Sequence, residues 1–241
     1  MNQIAPLRPR LAATAALVGK GSVADIGSDH AWLPITLCLR GTPSALASDL
    51  NEGPCSNARA NIAALGLDEK IKVVCRPGLD GIEDFAPDNI VIAGMGGELI
   101  ADILSASEYP RLSRCLLILQ PMTMQDKLRR YLFSAGFAIR EERVVCDEKK
   151  YYQILSCCYD GKTRTAAHAE LCYGKENLIR FRTSPTADDL GFLRTQKRIL
   201  ERKIAGRRQA VEAVAGLDDD LSLLALTEEL LSGGNSHADC P

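Results

Sequence analysis

The chain has 241 residues, 46% hydrophobic and 25% charged, with 29 Lys and Arg against 31 Asp and Glu for a formal net charge of -2. That length buries a sizeable core, as one large domain or as a domain with a small appendage, and the near-neutral balance excludes a uniformly basic nucleic-acid coat while leaving room for a local patch. The N-terminus lacks the basic, apolar and small-residue succession of a secretory signal, and no apolar run approaches the roughly 18 residues that cross a bilayer, so the expected location is cytoplasmic.

Short apolar runs alternate with amphipathic ones along the first two thirds. A short N-terminal helix carries Arg8 and Arg10. SVADI (22–26), SALASDL (44–50), IKVVC (71–75), NIVIAG (89–94) and CLLILQ (115–120) read as strands. Between them GPCSNARANIAALGL and TMQDKLRRYLFSAGF have helical spacing, the latter with Leu128, Tyr131, Leu132 and Ala135 on one side. This is the alternation of a parallel sheet covered on both faces. FAIREERVVC and YYQILSCCY, separated only by DEKK, then predict an antiparallel hairpin. A doubly wound Rossmann-like sheet finished in that way resembles the class I S-adenosylmethionine-dependent methyltransferase arrangement. From about Thr186 the strand signals stop. Leu190, Leu193, Leu200, Ile204 and Val211 form one apolar seam, and DDDLSLLALTEELL offers a second helix, so an antiparallel, coiled-coil-like pair is expected. The expected division is a methyltransferase-like domain over 1–160, a connector over 161–185, a helical part over 186–232 and a flexible tail over 233–241.

The nine cysteines are scattered without a C-x-x-C pair, which signals neither a disulfide framework nor a zinc site. Cys157 and Cys158 sit on opposite faces of one strand and read as core packing.

Function concentrates in the first turn. Against the pattern D-x-G-x-G-x-G, the segment DIGSDHA supplies Asp25 and Gly27 but puts Asp29 at the second glycine and Ala31 at the third. Gly27 allows a positive φ, and a small Ala31 lets a helix pack closely on the sheet. A carboxylate about 4 Å from a phosphate is repelled by roughly 4 kcal/mol at an effective dielectric of 20. Asp29 therefore disfavours a dinucleotide and suits S-adenosylmethionine, which has no phosphate and carries a sulfonium and an ammonium. Asp49 ends the second strand where ribose hydroxyls are gripped, the alternative being a cap for the following helix. AGMGG (93–97), with Gly94 and Gly96, closes the fourth strand with backbone open to a ligand or forms a purely structural turn.

DIGSDHAWLP, DLNEGP, NIVIAGMGGELI, LILQP and the YYQIL strand resemble the bacterial tRNA (adenine(22)-N1)-methyltransferase family of the TrmK type, in the same general order over nearly the whole chain. The resemblance implies a class I fold, S-adenosylmethionine as cofactor, methylation of an adenine ring nitrogen and tRNA as partner. No membrane or metal is implied, and a monomer is the expectation. It extends the cofactor set to Asp25, Gly27, Ser28, Asp29, His30, Asp49, Leu50, Gly78, Leu79, Gly94, Met95 and Gly96. Two positions depart from the family: Pro77 stands where an acid usually precedes Gly-Leu, which shifts adenine recognition to backbone or to Asp80, and Met122 stands where Asn often follows Gln-Pro.

N1 of neutral adenine presents an in-plane lone pair, so the reaction needs alignment and stabilisation of a cationic product rather than a strong base. Asp29 and Gln120 are the candidate catalytic residues. Asp29 instead binds only the methionyl ammonium in a second reading, and Gln120 has a structural alternative. His30 orients base or cofactor, or caps a helix; Trp32 stacks on an extruded base or packs in the core. For RNA, Arg8 and Arg10 near the first turn and Arg194, Lys197, Arg198 and Arg202 on the long helix are the candidate contacts. Mutual neutralisation by the acidic helix that follows is the alternative. Methyltransferases acting on other RNAs or small molecules, and a non-catalytic RNA-binding relative, compete with this reading.

Overall fold

The computed structural model describes residues 6–209 and 215–233. Val211 and the tail from 234 onward, including most of the segment expected to be flexible, lie outside the described residues.

Five parallel strands form most of the sheet: β1 (Val23–Ile26), β2 (Ala45–Asp49), β3 (Ile71–Cys75), β4 (Asn89–Gly96) and β5 (Leu116–Thr123). β6 (Phe137–Asp147) and β7 (Lys150–Tyr159) form the expected hairpin, and β7 inserts antiparallel beside β5 to give the order β3-β2-β1-β4-β5-β7-β6. All four β1 residues and the first four of β4 are buried, as strands covered on both faces must be. One face is filled by residues such as Leu33, Ile35, Ile62 and Ile118, the other by Ile90, Ile100, Leu117, Leu128 and Phe137.

Helices α1 (Pro9–Ala15), α2 (Trp32–Leu39), α3 (Glu52–Ala63), α4 (Gly97–Ser105), α5 (Tyr109–Ser113) and α6 (Gln125–Ser134) belong to the sheet. β1 pairs with β2 on one side and β4 on the other, so the chain reverses its winding there and leaves a crevice at the carboxyl ends of β1 and β4. That crevice positions the site.

Beyond the sheet, α7 (His168–Tyr173) and α8 (Lys175–Thr183) occupy the stretch read as a connector, followed by α9 (Ala187–Gln209) and α10 (Leu217–Gly233). Leu193, Leu200 and Ile204 of the expected seam are buried, and Tyr173, Phe181 and Phe192 form an aromatic knot with α10 residues Leu223 and Leu230. Lys197 pairs with Glu228 while Lys203 and Arg207 pair with Asp220, so α9 and α10 run antiparallel. Arg129 of α6 ties this part to the sheet: fully buried, it meets Glu142 of β6 at 2.7 Å and donates to Gln153 of β7 and to the Leu171 carbonyl of α7. Cys157 is buried as expected, and Cys158 is half-buried. Among the described residues no helix is long and apolar enough to cross a membrane.

Candidate functional site

The turn after β1 keeps the shape of a glycine loop without its second and third glycines. Gly27 has φ 76°, and the residues at the second and third glycine positions, Asp29 and Ala31, also adopt left-handed backbone at φ 46° and 58°. A left-handed L-residue costs roughly 1–2 kcal/mol, less for Asp, whose short side chain bonds locally. The turn is held by Gly27 and Ser28 N–H groups donating to the Ser48 carbonyl at 2.8 and 3.0 Å. Ala31 is fully buried under α2, so its small size serves packing as expected.

Three carboxylates gather at this edge of the sheet. Asp25 is 6% exposed and accepts from Ser28 Oγ at 2.7 Å. Burial pushes its carboxyl up to about 6, with the Ser28 bond opposing and the charge of Asp49 adding to the rise. Asp49 is half-buried at the end of β2; its Oδ1 accepts the Asn51 N–H at 3.0 Å, and Oδ2 has no hydrogen-bond partner among the described residues. That bond closes a local turn after the strand, and the N-cap position of α3 is Asn51, not Asp49. Asp29 is 62% exposed, with His30 Nε2 3.5 Å from its Oδ2. His30 does not cap α2, whose N-cap residue is Ala31 and lacks a side-chain cap bond.

Around the acids lie groups of the kind a nucleoside needs. Leu50 is 64% exposed beside Asp49. Gly78 and Asp80 line a cavity of about 190 Å³ with Ser48, Arg76 and Phe85, so Asp80 stands close to the position that Pro77 leaves without an acid, while Leu79 turns into the core. Met95 lays its methyl over Gly27, where a Cβ would stand 2.3 Å away. Of the AGMGG glycines, Gly97 has a purely structural reason: a Cβ there would lie 2.2 Å from the Met124 carbonyl oxygen. Trp32, Leu99, Met122 and Met124 are all at least 40% exposed. Met122 lies near the end of β5 and the other three follow the carboxyl ends of β1, β4 and β5, so all four share the edge of the sheet that carries the acids. The core-packing reading of Trp32 does not hold.

Several expected residues are placed otherwise than their roles require. Gln120 is fully buried and its amide is spent: Oε1 accepts from Arg10 Nη1 and from the Gly94 N–H at 3.0 Å, and Nε2 donates to the Pro121 carbonyl at 3.0 Å. Arginine only donates, which fixes the orientation of that amide. Gln120 therefore supports the floor of the crevice and offers no free amide to a base. Arg10, expected as a phosphate contact, is the other half of that support, with its guanidinium 5.7 Å from the Tyr152 ring centroid. Nothing in the sequence signalled a pairing across 110 residues. Arg8 is bound to Asp147 at 3.2 Å and Glu148 at 2.7 Å, and Lys197 to Glu228 at 2.7 Å, so the charges of both are already countered. Arg180 likewise turns inward to Asp189. Arg194, Arg198 and Arg202, by contrast, are exposed, spaced four apart on one face of α9, and make no ion pair among the described residues.

Known proteins resemble this chain in sequence and in fold. The family described as "Methyltransferase domain" matches residues 7–155. The chain is 35% identical over 175 residues to the tRNA (adenine(22)-N(1))-methyltransferase of Bacillus subtilis (strain 168), covering 69% of this chain and 73% of that protein. It superposes on a Streptococcus pneumoniae protein in complex with S-adenosyl-L-methionine with a TM-score of 0.77 at 31% identity, over 92% of this chain and 98% of that one. The B. subtilis m1A22 tRNA methyltransferase TrmK matches with a TM-score of 0.77 at 27% identity, over 94% and 99% of the two chains.

Proposed function

Because the chain belongs to the tRNA (adenine(22)-N1)-methyltransferase family, we propose that it transfers a methyl group from S-adenosylmethionine to N1 of an adenine in tRNA, at position 22. The observation that carries the reading is the concentration of three carboxylates, Asp25, Asp29 and Asp49, around a left-handed turn at the switch point of the sheet. The sulfonium and ammonium of the donor are attracted there, and a pyrophosphate is repelled.

S-adenosylmethionine, when bound, supplies an electrophilic methyl group on a sulfonium. Asp49 grips the ribose hydroxyls through its unpartnered oxygen, Leu50 flanks the purine, and the Gly78–Leu79 backbone with Asp80 meets the adenine edge. Asp25, Ser28 and the Gly27 turn hold the methionyl end, with Gly94, Met95 and Gly96 forming the opposite wall. The target base has N1 on its pairing edge and must leave its stack; the apolar rim of Trp32, Met122 and Met124 gives it a surface to lie on. Asp29, exposed and paired among the described residues with His30 alone, faces the positive charge that grows on the ring. Gln120 and Arg10 act indirectly, by fixing the Gly94 backbone. Arg194, Arg198 and Arg202 span about 12 Å of helix and track tRNA phosphates. The cytoplasm, where tRNA is modified, is the place for this activity.

The test is methyl transfer from labelled cofactor to unmodified tRNA, followed by mapping of the product. N1-methyladenine at position 22 is expected. Label on a different base overturns the substrate assignment, and binding of both cofactor and tRNA without any transfer leaves a non-catalytic RNA-binding protein.

A further inference from the structure

A second group of reactive side chains lies outside the crevice. Glu52 opens α3, Cys55 follows one turn later on the same face, and Cys75 ends β3 alongside, in register with Asp49. A carboxylate oxygen of Glu52 and the two sulfurs all lie within 4.8 Å of one another. The fold therefore assembles from two distant segments a cluster that the spacing of the cysteines does not announce.

We propose that Cys55, Cys75 and Glu52 bind one thiophilic divalent cation of the zinc type, with the fourth position open to solvent. Zinc–sulfur bonds of about 2.3 Å in a tetrahedron put two sulfurs roughly 3.8 Å apart, so the cluster needs to close by about 1 Å at most. Cys75 and Glu52 are exposed and free to make that movement, whereas Cys55 is 1% exposed and fixed in the core. The oxygen chemistry also fits. Arg59 Nη1 and Ser56 Oγ both donate to Oε1 of Glu52, which leaves Oε2 for the metal. Charge balances as well: two thiolates and a carboxylate carry three negative charges, the cation supplies two positive ones, and Arg59 the third. Two sulfur ligands select zinc over magnesium or calcium.

Binding replaces weak thiol contacts. Cys55 Sγ now lies 3.4 Å from the Val74 carbonyl and 3.7 Å from that of Asp49, and Cys75 Sγ lies 3.4 Å from that of Leu50. On binding, each thiol gives its proton to solvent and the thiolate sulfur bonds the metal, clamping the first turn of α3 to the end of β3. The metal is then a structural tie beneath the β2–α3 turn and takes no part in methyl transfer.

The experiment uses the reduced, chelator-treated full chain. Cobalt(II) titration should produce thiolate-to-metal charge-transfer absorption saturating at one equivalent, zinc should displace it, and zinc should raise the melting temperature. Cys75→Ser and Glu52→Gln, both at exposed positions, should weaken zinc at least about tenfold, with Cys75→Ser losing most of the absorption. Cys172→Ser should change neither, because Cys172 lies 3.5 Å from His168 in a separate pair. Saturable one-equivalent binding that survives Cys75→Ser overturns the site, as does the absence of any thiolate absorption. A Cys55–Cys75 disulfide forming in air from protein that binds no zinc overturns it too, assigning the pair to redox chemistry.

Discussion

Replacing Asp25 with asparagine should stabilise the ligand-free protein at neutral pH and weaken its grip on the cofactor. Asp25 sits in β1 between β2 and β4, and burial raises its carboxyl from 3.8 to about 6. In the unfolded chain it titrates near the ordinary value, so between about pH 4 and 6 the folded protein keeps a proton that the unfolded chain has lost. Stability therefore falls as pH rises through that window, by about 3 kcal/mol in total, with the whole cost present above pH 6 and none below 4. The substituted amide would carry no charge and would still accept from the Ser28 hydroxyl. The variant should gain about 3 kcal/mol over the wild type at pH 8 and almost nothing at pH 4. Parallel urea melts from pH 4 to 8 measure this, and the difference between the two proteins cancels other carboxylates. One of these is Asp160, which Arg164 holds at about 2, so its contribution has the opposite sign and is lost only as pH falls toward that value. Cofactor binding should show the reverse preference: below pH 6 the wild-type affinity declines about tenfold per unit, because Asp25 must first ionise, while the variant binds weakly at every pH. A pH-independent difference in stability, or a variant less stable at pH 8, refutes the reasoning.

Asp49→Asn keeps an acceptor for the Asn51 N–H but removes the charge offered to the ribose, and calorimetry should find S-adenosylmethionine bound about 10- to 100-fold more weakly with the fold intact. Arg198→Glu with Arg202→Glu reverses the charge of the exposed α9 stripe; gel-shift titration should show tRNA affinity lost, with a shallower salt dependence, while cofactor affinity stays unchanged. Normal tRNA binding by that double variant removes α9 as the docking face. Arg129→Ala strands Glu142 as a buried charge, and chemical denaturation should register a loss of about 3–5 kcal/mol.

The central strands were legible because β1 and the start of β4 are buried on both faces and read as near-continuous apolar runs; the edge strand β3, buried only at Ile71, still matches IKVVC residue for residue, and the other parallel strands shift only at their ends. The hairpin was legible for the complementary reason, two long β-rich runs with no room between them for a crossover. α7 and α8 were not. They have six and nine residues, and their buried side chains, among them Asn177, form no stripe that periodicity detects. Arg129 reads as a surface residue of an amphipathic helix because its partners, Glu142, Gln153 and the Leu171 carbonyl, come from three other elements.

At the site, which residues share the edge of the sheet was legible and their geometry was not. Asp29 was visible as a departure from a glycine pattern and Asp25 and Asp49 as acids at strand ends, but residue types alone do not say whether a turn without its second and third glycines keeps its shape. The backbone stays left-handed at Asp29 and Ala31. A loop free to relax would not hold an alanine there at roughly 1 kcal/mol or more; the buried packing of Ala31 and the paired bonds to Ser48 overdetermine it. The turn thus keeps the close approach that glycines provide and gains a carboxylate at its exposed tip, where glycine would have offered only backbone. For a cofactor that carries positive charge and leaves a positively charged product, that exchange justifies a strained residue.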